Sequence, residues 1–397
     1  MEKPSINIIS AGDRYNYGDV LYAVVVSEYL KKYEPDIYNS YEIEHYGIIS
    51  SDLTYVGGLK TLPVSSLYEK DFAENSITVV AGGQVIGANI EVLFKFLKSN
   101  KISLYADLIR YFALSKLGKS RDELLIKHFG CKTKFPYIIS RKNMKSDCKI
   151  VYSNVGGFIT EDEHEAVSEI RNADYFSVRD SQSFEENCKY KQSVVLVPDG
   201  AVLMSDLFPY ECIEKEVSEE VRNIKGNYIA IQFSLSYYRQ HESEIIETLK
   251  GFKEEHKDIK IVLVPIGYAI LHDDLVALKE LKAKISETIL IEKLTVKEIM
   301  YLIARASFFL GTSLHGIVTA MSFSVPYMAL GAHNSSAKLD NFVKTWGCWP
   351  YNKVMPISDL QDLYEAREET IETLRDSSEK QIALAKKNYE NVFSLIK

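Results

Sequence analysis

The sequence predicts an α/β fold of two Rossmann-like domains that face each other across a cleft, followed by a long helical tail. Three observations predict it. In the first half an apolar run ends in a glycine loop three times: Ile6–Ser10 before Ala11–Asp19, Ile77–Val80 before Ala81–Gln84, and Lys149–Ser153 before Asn154–Gly157. In the second half, Ala304–Leu330 holds strand, tight loop, helix and strand in 27 residues, the order of a βαβ unit. Finally, 397 residues exceed one ordinary core, so two domains are the natural division. We expect them at residues 1–205 and 206–355, with the tail at 356–397.

Taken in order, Ile6–Ser10 reads as the first strand. After the loop A-G-D-R-Y-N-Y-G-D, positions Val20, Ala23, Val24, Ser27 and Leu30 recur at helical spacing up to Tyr33. Strand, glycine-containing loop and helix together hold an anion on backbone amides, which makes Asn16, Gly18 and Asp19 candidate binding residues. Asn16 or Asp19 serves equally as a helix cap. Glu34–Lys70 reads as irregular. Ile77–Val80 ends at Gly82-Gly83, where a ligand or a second backbone can approach closely. Residues 90–128 carry helical apolar spacing through Leu93, Phe96, Leu97, Leu108 and Tyr111. The loop after Lys149–Ser153 offers Asn154 and Gly156. Glu161–Arg171 is a helix and Asp174–Val178 a strand. Arg179 follows at the strand end, always charged, placed to grip a carboxylate or phosphate or to pair with Asp180 or Glu185. Val194–Val197 is a strand, and Pro198-Asp199-Gly200 breaks the chain near the end of the first domain.

The second domain opens after the charged stretch Pro209–Gly226. Tyr228–Ser234, Ile259–Pro265 and Glu287–Glu292 read as strands, and Glu242–His256 and Asp274–Lys284 as helices. His272-Asp273-Asp274 has metal-ligand types, but acidic residues are also what a helix N-terminus favours, and no metal site is expected. Thr295 caps Val296–Arg305. Ser307–Leu310, the loop Gly311-Thr312-Ser313, and the helix Gly316–Phe323 then place His315 at the carboxyl end of a strand and beside a helix start. Open α/β sheets bind ligands at that edge, and the helix start suits an anion. A histidine there can hold a phosphate or carboxylate and move a proton. Ser313 and Gly316 flank it, and Lys338, in a stretch with His333 and Asp340, adds a cation to the same edge. Residues 358–396 form an amphipathic tail that either packs across both domains or serves a dimer.

The net charge of −8 argues against broad nucleic-acid binding, which needs a basic face. A local cationic cluster for a small anion remains compatible with it. The five scattered cysteines lack a C-x-x-C pair and read as reduced cytosolic thiols. M-E-K-P-S-I-N-I-I-S has no long apolar signal segment, and no run reaches the roughly 18 apolar residues of a membrane span. The expected location is the cytoplasm. No G-x-S-x-G or cysteine–histidine pattern supports acyl transfer. The residues therefore point to an enzyme or binder for an anionic, phosphorylated small molecule, with His315, Arg179 and Lys338 around the glycine loops.

Five motifs occur in one order along the chain: N-Y-G-D-V-L (Asn16–Leu21), A-G-G (Ala81–Gly83), F-S-V-R-D (Phe176–Asp180), V-P-D-G (Val197–Gly200) and G-T-S-L-H-G…A…V-P (Gly311–Pro326). With Lys338 and Asp340 they resemble the polysaccharide pyruvyl transferase family. The resemblance implies a GT-B-like pair of domains, with the acceptor on the first and the donor, beside His315, on the second. It implies transfer of the enolpyruvyl carbons of phosphoenolpyruvate to a sugar, usually as a cyclic ketal of exopolysaccharide or capsular polysaccharide synthesis, with no cofactor. His315 would be the acid/base or a phosphate clamp, with Arg179, Lys338 and the amides at Gly316 holding donor charge. Partners would be phosphoenolpyruvate and a sugar acceptor, free or lipid-linked at the inner membrane face, with a homo-oligomer left open. Relatives often carry a basic residue where this chain has Ser313. A nucleotide-sugar glycosyltransferase and a non-catalytic carbohydrate-binding protein of a polymer-assembly complex are the alternatives.

Overall fold

The computed structural model describes residues 3–97, 101–116, 120–269, 274–331 and 337–397. The strands that anchor it are short and buried along their whole length, the pattern of a sheet covered on both faces. The first sheet takes β1 (Ser5–Ile9), β2 (Glu42–Gly47), β3 (Ser51–Asp52), β4 (Lys60–Pro63), β5 (Ile77–Ala81), β6 (Gln84–Ile86), β7 (Lys149–Gly157), β8 (Tyr175–Val178) and β9 (Val195–Leu196). Its order is β3-β4-β2-β1-β5-β7-β8-β9, with β6 also on β7. Every pairing is parallel except β3–β4. The second sheet takes β10 (Tyr228–Gln232), β11 (Lys260–Leu263), β12 (Ile289–Leu290), β13 (Phe308–Gly311) and β14 (Tyr327–Ala329). All of it is parallel, in the order β12-β11-β10-β13-β14. Strand order reverses between β1 and β5 and between β10 and β13. Crevices open outside the carboxyl ends of strands at such points.

Two expectations fail locally. Glu34–Lys70 is not irregular: it holds the helix Pro35–Ser40 and β2, β3 and β4. Strands such as E-I-E-H-Y-G are only partly buried, so no apolar run announces them. Asn154–Gly157 is not a loop but the last part of β7. Its register shifts between Tyr152 and Val155, around Asn154 at φ +56°, and the Gly156 N–H donates to the Gly83 carbonyl at 2.7 Å.

One continuous apolar core joins the sheets, running from Ile6 and Ile8 through the helix Tyr17–Tyr33 to Ile229, Phe309 and Ile317. A second core covers the other face of the first sheet. The tail holds both halves together. Tyr364, on the helix Leu360–Glu365, packs edge-on against Phe252 and Phe308 beside the second sheet. The helix Arg367–Ser394 reaches the first, where Asn388 Nδ2 donates to Ser153 Oγ at 2.9 Å and Asn154 Oδ1 at 2.8 Å, and Tyr389 meets Tyr29. The halves also touch at their strand-end loops. The Tyr17 N–H donates to the Ile266 carbonyl, the Tyr268 N–H to the Tyr15 carbonyl, and the Tyr15 and Tyr268 rings stack at 4.7 Å. Among the described residues, no helix is long and apolar enough to cross a membrane.

Candidate functional site

Ser313 lies two residues beyond β13 with extended backbone, and its hydroxyl accepts from the Gly316 N–H, capping the helix Leu314–Ser322. His315 is therefore in the first turn, its ring carried out from the carboxyl edge of the second sheet. Gln232, the last residue of β10, fixes that edge. Its Oε1 accepts from the N–H groups of Thr312 and Ser313 at 3.0 and 2.9 Å, and its Nε2 donates to Asp274 at 2.8 Å. Asp274 in turn accepts from the N–H groups of Ile266 and Gly267. Through Gln232 this carboxylate ties the loops after β10, β11 and β13 together. His272, Asp273 and His333 lie outside the described residues.

A pocket of about 300 Å³ opens at this edge, lined among others by Asn16, Gln232, Ser234, Ser313, His315 and Lys338. Behind its histidine stands a buried polar cluster. The Tyr22 hydroxyl lies 2.5 Å from His315 Nε2 and 3.0 Å from Asp199 Oδ2. Arg179 Nη1 donates to the Tyr22 oxygen at 2.5 Å and to Asp199 Oδ2 at 2.8 Å, and its Nη2 donates to Gln84 at 3.2 Å. Asp199 Oδ1 accepts from the Ala201 N–H. The Tyr22 oxygen accepts from Arg179 and carries one proton, which both Asp199 Oδ2 and His315 Nε2 approach.

Gly18 and Gly82 make this packing possible. A Cβ on Gly18 would fall 1.8 Å from His315 Nδ1, so the first turn of the helix Tyr17–Tyr33 touches the second-sheet histidine with bare backbone. Gly82, at φ +60°, leaves no room for a Cβ beside the Tyr22 ring, 1.9 Å away. Gly83 follows at φ +79°, and Gly156 lies against the Arg179 guanidinium.

Electrostatics follow from burial. Desolvation lowers the His315 pKa to about 4, with Asp199 opposing and Arg179 and Lys338 adding to the effect. The imidazole is neutral at pH 7. Burial alone would raise the Asp199 carboxyl, but Arg179 and then His315 hold it below the usual carboxylate range. Lys338 is open to solvent on its own side of the cleft, yet enclosed enough that desolvation, then Arg179, lowers its pKa to about 8.

The expected residues separate into two groups. His315, Ser313, Lys338 and Asn16 line the pocket, and Gly18 abuts the histidine. Arg179 does not line it. It is 1% exposed, and its partner is Asp199 rather than Asp180 or Glu185. Asp180 instead caps the helix Ser181–Cys188. Arg179 thus stands behind the pocket, held against Tyr22 and Asp199. Gly316 is also re-read: its N–H is taken by Ser313, and those of Thr312 and Ser313 by Gln232. Among the described bonds, the first-turn amides of Leu314 and His315 are the open donors. Asp19 pairs with Arg14 at 3.3 Å and accepts from Asn16 Nδ2. Asn154 is structural, with its Nδ2 on the Pro198 carbonyl and its Oδ1 on Asn388.

Sequence reasoning missed Tyr22, Asp199, Gln232 and Gln84 as site residues. Two signals were available: Asp199 sits in V-P-D-G, and Tyr22 directly follows N-Y-G-D-V-L.

No curated protein matches the sequence. Among solved structures, one described as a UDP-N-acetylglucosamine 2-epimerase from Listeria monocytogenes aligns with TM-score 0.54 at 12% identity, covering 97% of this chain and 92% of that one. The UDP-GlcNAc 2-epimerase of Neisseria meningitidis, bound to UDP-GlcNAc, gives 0.50 at 12%, covering 98% and 99%. That of Methanocaldococcus jannaschii, with UDP-GlcNAc and UDP, gives 0.50 at 12%, covering 93% of each. At such identity these likenesses show the fold, which is GT-B. Residues 133–334, just over half of the chain, match the family model described as polysaccharide pyruvyl transferase. That stretch holds Arg179, Asp199 and His315, and with the motif order it establishes that this chain belongs to the polysaccharide pyruvyl transferase family.

Proposed function

We propose that the protein transfers the enolpyruvyl carbons of phosphoenolpyruvate to two hydroxyls of a sugar in a cell-surface glycan precursor, giving a cyclic ketal and phosphate. The observation that carries the reading, beside family membership, is a neutral imidazole and a lysine on one pocket wall, with a tyrosine–aspartate–arginine cluster behind the imidazole. The donor is a small trianion. Lys338 and the open amides of Leu314 and His315 attract its charge, helped by the positive end of the His315 helix.

The chemistry requires a proton on the vinyl CH2, which makes the neighbouring carbon an electrophile. A sugar hydroxyl adds to that carbon and loses its proton. A second hydroxyl then displaces phosphate, breaking the C–O bond, and its proton leaves with the phosphate. One hydroxyl proton thus replaces the proton given to CH2. His315 is the acid/base that closes this cycle, a role worth typically about 10²–10⁴-fold. With a pKa of about 4, it is unprotonated at pH 7. An arriving trianion raises that pKa, so donor binding itself loads the acid. No cofactor enters the scheme. The reaction belongs in the cytoplasm, at the membrane face where the acceptor is lipid-linked.

The test is incubation with phosphoenolpyruvate and a panel of galactose, mannose and glucose glycosides, read by mass spectrometry and phosphate release. A gain of pyruvic acid less water on one sugar is expected. Phosphate release without a sugar product, or neither, would overturn the reading. Calorimetry with phosphoenolpyruvate in buffers of different ionisation enthalpy should show uptake of about one proton at pH 7, absent in His315→Ala.

A nucleotide-sugar enzyme is the second reading, favoured by the hydroxyls of Ser234, Ser236, Thr312 and Ser313 around a single lysine among the described pocket residues. A thermal-melting shift with UDP or GDP, and none with phosphoenolpyruvate, would select it.

A further inference from the structure

The helix Lys101–Ser115 carries two apolar faces where folding needs one. Leu104 and Tyr111 point inward, and Tyr111 packs edge-on against Phe94. Along the opposite side run Ile102, Tyr105, Ile109 and Phe112, exposed by 82, 63, 70 and 63%. Their spacing of three, four and three residues puts all four on one stripe. Scattered exposed apolar residues need no explanation, but a continuous stripe does.

Charge points to its occupant. Between Lys95 and Arg121 the sequence has seven Lys and Arg and one acidic residue, Asp107, in a chain whose net charge is −8. Arg110 and Lys116 are exposed, and the Lys116 ammonium lies 5.1 Å from the Phe112 ring centre. An apolar stripe bordered by cations is the make-up of a helix that lies in the interface of an anionic bilayer. Position agrees. The preceding helix, Ile90–Phe96, ends with Phe96 under the guanidinium of Arg14, four residues before the Gly18 that touches His315. The stripe-bearing helix begins a few residues later in the chain.

We propose that the Ile102–Phe112 stripe docks the protein on an anionic lipid surface, bringing the cleft to the plane of the membrane. The inference rests on exposure and charge and stands whether or not the pyruvyl chemistry holds. Co-sedimentation of the full chain with vesicles tests it, comparing phosphatidylcholine alone with vesicles containing roughly 30% phosphatidylglycerol. Binding to the anionic vesicles only, weakened by salt, is expected. Ile102→Glu/Ile109→Glu should reduce the bound fraction about tenfold with an unchanged melting temperature, and should keep phosphate release with a water-soluble sugar. Wild-type protein that stays in solution, or a double variant that binds equally well, would overturn the proposal. So would light scattering that shows a dimer without lipid and a monomer for the variant, which would assign the stripe to a second copy of this chain.

Discussion

At the residue scale, the site depends on one phenol. Tyr22 stands between His315, Asp199 and Arg179, so its hydroxyl sets which imidazole nitrogen carries the proton. Tyr22→Phe keeps the ring beside Gly82 and removes only that oxygen. Transfer should fall by roughly 10²-fold with little change in the KM for phosphoenolpyruvate, because the pocket wall is untouched. The pH profile of kcat should move as well; an unmoved profile would reduce Tyr22 to packing. His315 also ties stability to pH. Its folded pKa of about 4 lies below the unfolded value near 6.5, so below that value the unfolded chain binds a proton that the fold refuses. The stabilisation is complete above pH 6.5 and is lost as pH falls from there through about 4, by about 3 kcal/mol in all. Urea unfolding at pH 7 and pH 4.5 should show a smaller acid loss for His315→Gln than for the wild type.

At the element scale, the helix Leu314–Ser322 is set by its start and its small residues. Ser313 caps it, and Gly316 lies so close to Phe309 that a Cβ would come within 2.4 Å of the ring. Ser313→Ala should cost about 1 kcal/mol in chemical denaturation and leave the Gly316 N–H without its partner. The same loss of the hydroxyl should weaken phosphoenolpyruvate binding only modestly, since the Leu314 and His315 amides remain; a total loss of binding would mean that Ser313 holds the donor itself. Elements with strong local signals were legible. Asp274–Lys284 matched residue for residue, and Thr295 with Glu298 forms a full capping box. The strands β2, β3 and β4 on one flank of the first sheet were not legible, because they are short and their own side chains are half polar.

At the scale of the whole molecule, the tail decides how the halves are held. The Asn388 side chain is buried and joins the tail to Ser153 and Asn154 of the first sheet. Asn388→Ala removes a donor from Ser153 and Asn154 and the acceptor of the Tyr175 hydroxyl, and should cost roughly 1–3 kcal/mol. The loss should appear as a lower melting temperature, with little change in donor affinity for the molecules that remain folded. Unchanged melting would show that the apolar contacts of Tyr389 and Phe393 hold the tail alone.

The sequence by itself determined the α/β class, the repeated strand–loop–helix units and the edge on which His315 stands, because apolar period and strand-end glycines act within a few residues. It also placed Arg179 at a strand end. Only the tertiary structure decided what those residues do. Tyr22, Arg179, Asp199 and His315 come from separate segments and meet only when both sheets pack on the helix Tyr17–Tyr33. Burial then fixes their charges: Arg179 pairs with Asp199, and His315 becomes neutral. Desolvation is a property of the surroundings, and no local spacing encodes it.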